Sequence, residues 1–142
     1  MLIPPRQFVA FMDGRLGDWI TIAHLPGLFG AHINALTTEV RIQRAYARKM
    51  IDKHRLLHAH FEMIQVAVDR GWCRVDDRRR SLEFLLDDDV LHHTILLLAI
   101  KTAAGGEELW LRTFHRSNAE QLRSHLRRGG ILRNHDPEVF EE

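Results

Sequence analysis

Residues 94–116 read TILLLAIKTAAGGEELWLRTFHR, and their interpretation decides the fold. Thr94–Thr102 and Glu107–His115 are both rich in β-branched, leucine and aromatic residues, and the Ala103-Ala104-Gly105-Gly106 between them is turn chemistry. Strands joined by so short a link pair antiparallel, because a parallel return needs a crossover of about a dozen residues or more. Working backwards, Ser81–Leu86 and Trp72–Asp76 are further strand candidates. Arg78-Arg79-Arg80 and Asp87-Asp88-Asp89 serve as their turns. Four strands in close succession predict an antiparallel meander.

Outward from the meander the rhythm is helical. Ser117-Asn118-Ala119-Glu120 has the form of a capping box and predicts a last helix starting at Ser117. Leu122 and Leu126 give that helix an apolar stripe, and Gly129-Gly130 stops it. Upstream, Gln43–His54 and Leu56–Arg70 predict two helices; Leu57, Phe61 and Ile64 form an i, i+4, i+7 stripe on the second, with Gly71 as its C′ residue. Leu36–Ile42 suits a short strand. Residues 1–35 are punctuated by proline and glycine, with short helices expected around Gln7–Met12 and Trp19–His24. The order predicts one α+β domain over residues 1–142: N-terminal helices packed on a four-stranded antiparallel sheet, with a C-terminal helix. Residues 1–35 then form an N-terminal extension, 36–133 the core and 134–142 an acidic tail.

Composition narrows the partners. The 142 residues carry a net charge of only +1, but seventeen of the twenty basic residues are arginine, which favours bidentate contacts to phosphate or carboxylate. From Trp110 to Arg133 there are six arginines against one acid, Glu120. The longest apolar run, Ile95–Ile100, is far too short to cross a bilayer. Pro4-Pro5 interrupts any signal-like start, and Cys73 is alone, so a reducing cytoplasm is the expected compartment.

Thr113 and His115 are two apart and face the same way on a strand, with Arg112 and Arg116 beside them and Arg123, Arg127 and Arg128 on the helix that follows. Lys53-His54 closes an earlier helix. RNA is cleaved without a metal when its own 2′-OH attacks phosphorus, which requires a base, an acid and cations for the charged oxygens. Histidine, lysine, arginine and hydroxyl side chains cover those roles. Each residue also has a plain explanation: Lys53 and His54 answer a helix dipole, Thr113 is ordinary β-propensity, and Lys101 is a solvated strand residue or a phosphate contact. His54, His58 and His60, with His92-His93, invite a zinc reading, which the missing H-E-x-x-H and the absence of paired cysteines weigh against. Arg48 to His54 also has an R-x5-H spacing compatible with an all-helical ribonuclease, which four strand candidates oppose.

The order of these pieces resembles the phage-encoded branch of the barnase–EndoU–colicin–RelE-like nucleases, small toxin-type endoribonucleases. The resemblance runs over about residues 38–133, through VRI (Val40–Ile42), IDKH (Ile51–His54), SLEFLL (Ser81–Leu86), ILLLAIK (Ile95–Lys101), LWLRTF (Leu109–Phe114) and LRSHLRRGG (Leu122–Gly130). It implies Lys53 and His54 as the helical half of a site and Thr113 as the strand hydroxyl, with RNA as substrate and no cofactor or metal. His115 as partner of His54 is inferred from its position beside Thr113. An acidic antitoxin or immunity protein is the implied partner. Where the family's closing turn often has Gly-Arg, this chain has Gly129-Gly130, so Arg127 or Arg128 would have to substitute. The alternatives are a non-catalytic module gripping nucleic acid or protein, and a virion- or assembly-associated protein docking through Phe8, Phe11 and Trp19.

Overall fold

The computed structural model describes residues 4–88 and 94–135; His92, His93, Asp89 and the acidic tail from residue 136 lie outside them. In chain order the elements are α1 (Pro5–Met12), β1 (Trp19–His24), the short turn α2 (Gly27–Gly30), β2 (Glu39–Gln43), α3 (Arg44–His54), α4 (His58–Glu62), α5 (Ile64–Arg70), β3 (Trp72–Asp76), β4 (Ser81–Asp88), β5 (Thr94–Ala103), β6 (Glu108–Ser117), α6 (Ala119–Arg127) and β7 (Ile131–Arg133). Among the described residues no helix is long and apolar enough to cross a membrane.

The class is α+β, but the expected four-stranded antiparallel sheet under N-terminal helices is corrected. Among the described residues seven strands form one mixed sheet in the order β1-β2-β6-β5-β4-β3-β7. The meander β3–β6 is antiparallel throughout and occupies the middle. β2 joins it parallel to β6, through Val40–Leu109 and Arg41–Trp110. Parallel pairing at that distance in sequence leaves no local signal.

The second correction is at the start of the chain. Trp19–His24 is the edge strand β1, antiparallel to β2, rather than a helix. Its alternation of Ile20 and Ile22 with Thr21 is strand-like, and the proline and glycine around it obscured that. Gln65 of α5 then ties it down: its Oε1 accepts from the His24 N–H (2.7 Å) and its Nε2 donates to the His24 carbonyl (3.0 Å). Phe8 and Phe11 of α1 are buried in the main core, so they are not free to dock on a neighbour.

The strands' alternation builds two unlike faces. Leu82, Phe84, Leu96, Leu98, Ile100, Leu111 and Phe114 point to the face covered by α1, α3, α4 and α5. There Phe61 bridges Phe8 and Phe114, with ring centroids at 4.7 and 5.1 Å. The other face carries a smaller apolar cluster, Leu85, Ile95 and Leu97 under Leu122 of α6 with Trp72 and Leu126 packed against it. Apart from Ala99 and Trp110, its strand centre is polar and charged, with Arg74, Glu83, Ser81, Lys101, Thr113 and His115.

Three local details also differ from expectation. Residues 56–70 form two helices that break at Met63. The N-cap of α6 is Asn118, whose Oδ1 accepts from Gln121 N–H at 2.8 Å, because Ser117 is still paired in β6 with Ile95. Gly71 has ordinary φ, and glycine is needed there because a Cβ would sit 2.4 Å from the Leu85 carbonyl oxygen.

Candidate active site

A β-bulge creates the site. In β6 Thr113 pairs with Ala99 and Leu111 with Ile100, so Arg112 is the extra residue. Without it Trp110 and Thr113 would lie on opposite faces; with it both, together with His115, point away from the main core. Arg112 also leaves the ladder, and Tyr46 of α3 uses its carbonyl, the phenol hydroxyl donating to the Arg112 oxygen. Desolvation raises the Tyr46 phenol above its ordinary value, against a hydrogen bond from Thr113 and the charge of Arg112.

Helix α3 follows β2 without a loop and runs beside this half of β6. Tyr46 reaches Arg112 and Thr113, and two turns later His54 reaches His115, with ring centroids 5.4 Å apart. Desolvation, the neighbouring His115 and the charge of Lys53 all lower the His54 pKa. The shift favours the neutral form of His54, whose ring can accept a proton. His115 Nδ1 lies 2.9 Å from the Arg116 carbonyl oxygen, which fixes its ring.

His115, Thr113, Arg112 and Lys101 line a groove of about 400 Å³. Its floor comes from the register. Arg74, Glu83, Ala99 and Thr113 are successive cross-strand partners, and the small Ala99 between Glu83 and Thr113 leaves a depression. Glu83 and Arg74 are buried and form an ion pair there; Arg74 Nε also donates to the Gly129 carbonyl at 3.0 Å. His125 of α6 brings Nδ1 to 3.3 Å from Glu83 Oε2, poorly aligned for a hydrogen bond. Ser81 and Arg79 complete the rim.

Of the residues singled out in the sequence, Thr113, His115, Arg112 and Lys101 line this groove and His54 meets it through His115, while Lys53 is the exposed neighbour of His54 and is not among the lining residues. Arg116 does not: it pairs with Leu96 and so lies on the opposite face, exposed at the strand end. Arg123 and Arg127 are exposed on α6, away from the side formed by Leu122. Arg128 lines a separate depression of about 580 Å³ beside Arg78, Arg79 and Gly130. Gly129-Gly130 has its own physical reason. Both have positive φ, Val75 N–H donates to the Gly130 carbonyl at 2.9 Å, and a Cβ at 130 would lie 2.4 Å from the Val75 oxygen. An arginine at 130 does not fit this turn.

The other histidines scatter. His58 packs edge-on against Phe8 at 4.8 Å, and His60 is buried with Nδ1 accepting from Leu57 N–H. Among the described residues no three His, Cys, Asp or Glu side chains converge as a metal site. Arg48 turns away to the Met12 carbonyl. Burial pushes the Cys73 thiol up to about 12, against Arg133, so it is inert.

Sequence reasoning missed Tyr46, Arg74, Ser81, Glu83 and His125. Glu83 did leave a signal, since a charged residue inside SLEFLL means that the strand's second face is not a second core. His125 and Tyr46 left none, because helical position says nothing of the strand a side chain will meet. Comparison with protein-family models, curated proteins and solved structures finds no match to this chain.

Proposed function

We propose that this protein is a metal-independent endoribonuclease of toxin type, of the kind its sequence resembles. The observation that carries the reading is the His54–His115 pair, 5.4 Å apart, at a groove lined by Thr113, Lys101 and Arg112. Neutral His54 takes the proton of the 2′-OH as that oxygen attacks phosphorus. His115 gives a proton to the departing 5′-oxygen. One P–O bond forms and one breaks, leaving a 2′,3′-cyclic phosphate and a free 5′-hydroxyl. Lys53, Lys101 and Arg112 offset the charge on the phosphoryl oxygens, and Thr113, held by Tyr46, positions them. Free activity of this kind harms the cell that makes it, so an acidic antitoxin or immunity protein covering the groove is the matching partner.

The test is incubation of purified protein with mixed RNA in EDTA, with end-group analysis of the products. Cyclic phosphate ends that disappear in His54→Ala support the reading; intact RNA sinks it. One observation favours a non-catalytic binding module instead. Glu83 is already paired with Arg74 and Thr113 with Tyr46, so the carboxylate and the hydroxyl that line the groove are engaged within the protein. In that case His54→Ala leaves RNA affinity nearly unchanged, while Lys101 and Arg112 substitutions weaken it and flatten its salt dependence.

A further inference from the structure

The row of the sheet that carries Lys101 continues away from the groove into a stack of rings and guanidiniums. Thr21, Arg41, Trp110, Lys101 and Ser81 are successive partners across β1, β2, β6, β5 and β4. The Arg41 guanidinium lies 4.1 Å from the Trp19 ring centroid and 5.8 Å from that of Trp110. The two indoles meet edge to face at 6.3 Å, and Arg112 stands 5.9 Å from Trp110 on the groove side. Trp110 is almost buried, but Trp19 is 41% exposed on an edge strand.

Charge decides what this platform suits. Glu108 accepts from Trp110 Nε1 at 2.8 Å and lies 4.0 Å from Arg41 Nη1. A phosphate placed on Arg41 would meet that carboxylate, so the spot is poor for an anion. A flat, neutral π-system meets no such penalty and gains an indole and a guanidinium plane to stack on. Arg41 is two strands from Lys101, about 10 Å at the usual interstrand spacing of about 4.8 Å. That is a neighbouring nucleotide's distance from a phosphate in the groove.

We infer that Trp19 and Arg41 form a nucleobase-stacking subsite for an unpaired base of single-stranded RNA whose backbone lies in the groove. The inference rests on the reading of that groove as an RNA site. Its test uses strands that cannot be cut. The quenching of tryptophan fluorescence and the affinity are measured for oligo-dT, which lacks the 2′-OH, and for an abasic deoxy strand of equal length. The native protein prefers oligo-dT by about tenfold, the scale of one stacked base. Trp19→Ala loses the preference and keeps its affinity for the abasic strand, whereas Trp19→Phe, which keeps a ring in place, retains most of it. Equal binding of both strands, binding of neither, or a preference that survives Trp19→Ala overturns the subsite. Because neither strand is a substrate, failure of RNA cleavage is read separately and leaves these outcomes interpretable.

Discussion

Leu98 and Ala99 are adjacent on β5, yet they serve opposite faces of one sheet. Leu98 lies opposite Phe114 in the helix-covered core, while Ala99 floors the groove between Glu83 and Thr113. The helix-covered face is continuous in apolar side chains and holds Phe8, Phe61, Phe84 and Phe114 at or near zero exposure. The groove face buries charge instead, in the Arg74–Glu83 pair, and leaves His115, Thr113 and Lys101 half-exposed. Burial of that many rings gives one face surplus stability, and the other spends some of it in holding desolvated polar groups near one another. Stability and chemistry are thus assigned to alternate residues of the same strands.

The sharpest way to break this division is to mutate each face and read the wrong property. Phe114→Ala, on the core face, is expected to cost about 3–5 kcal/mol in chemical denaturation. His54→Ala is expected to lower RNA cleavage by about 10²- to 10⁴-fold with the unfolding midpoint nearly unchanged. If His54→Ala unfolds the protein as Phe114→Ala does, the two faces are not separable.

The buried pair tests the exception, a groove residue that also carries stability. Glu83→Ala takes the nearer carboxylate from buried Arg74 and leaves it only Asp76, at 3.9 Å, so it should cost about 3 kcal/mol, whereas a joint Arg74→Met, Glu83→Leu replacement should recover much of that loss. A double variant as unstable as the single one would mean that Arg74 serves chiefly through its bond to Gly129.

The pH dependence is smaller and has a definite sign. Desolvation, His115 and Lys53 hold the folded-state pKa of His54 below its ordinary 6.5. The unfolded chain therefore binds the proton more readily. Stability from this group is present above 6.5 and is lost as pH falls through the lowered value. Cleavage should fall on the same acid limb as the base becomes protonated. In an NMR titration, His115→Ala should move the His54 midpoint back up; no movement would mean that the rings do not interact.

Smallest is Tyr46→Phe, which deletes the bond to the bulged Arg112 carbonyl. It should cost about 1 kcal/mol and loosen Thr113, seen as a modest fall in cleavage without a change in the His54 titration. A wholly silent Tyr46→Phe would remove the phenol from the account of how the bulge is held.

Periodicity made β3 to β6 and their order legible, because each of those strands has its partner next in sequence. The same logic found Thr113 and His115 on one face and placed Lys53-His54 at a helix end. It went astray where pairing was remote. Trp19–His24 is six residues among prolines and glycines, and only β2, fifteen or more residues later, makes it a strand. Arg116 was grouped with Thr113 through closeness in sequence, but alternation sends it to the other face.

Local chemistry by itself determined the meander, the last helix, and a basic, arginine-dominated stretch carrying a hydroxyl and a histidine. Those features depend on neighbours within a turn or a hairpin, and short-range sterics and hydrogen bonding are written residue by residue. Only the tertiary structure decided that α3 lies along β6, so that His54 meets His115, and that a one-residue bulge at Arg112 turns Trp110 and Thr113 to the same side. It also decided that Glu83 is neutralised by Arg74 and that an N-terminal strand brings Trp19 to Arg41. These are contacts between residues far apart in the chain, selected by burial of the shared aromatic core and by the sheet register it imposes.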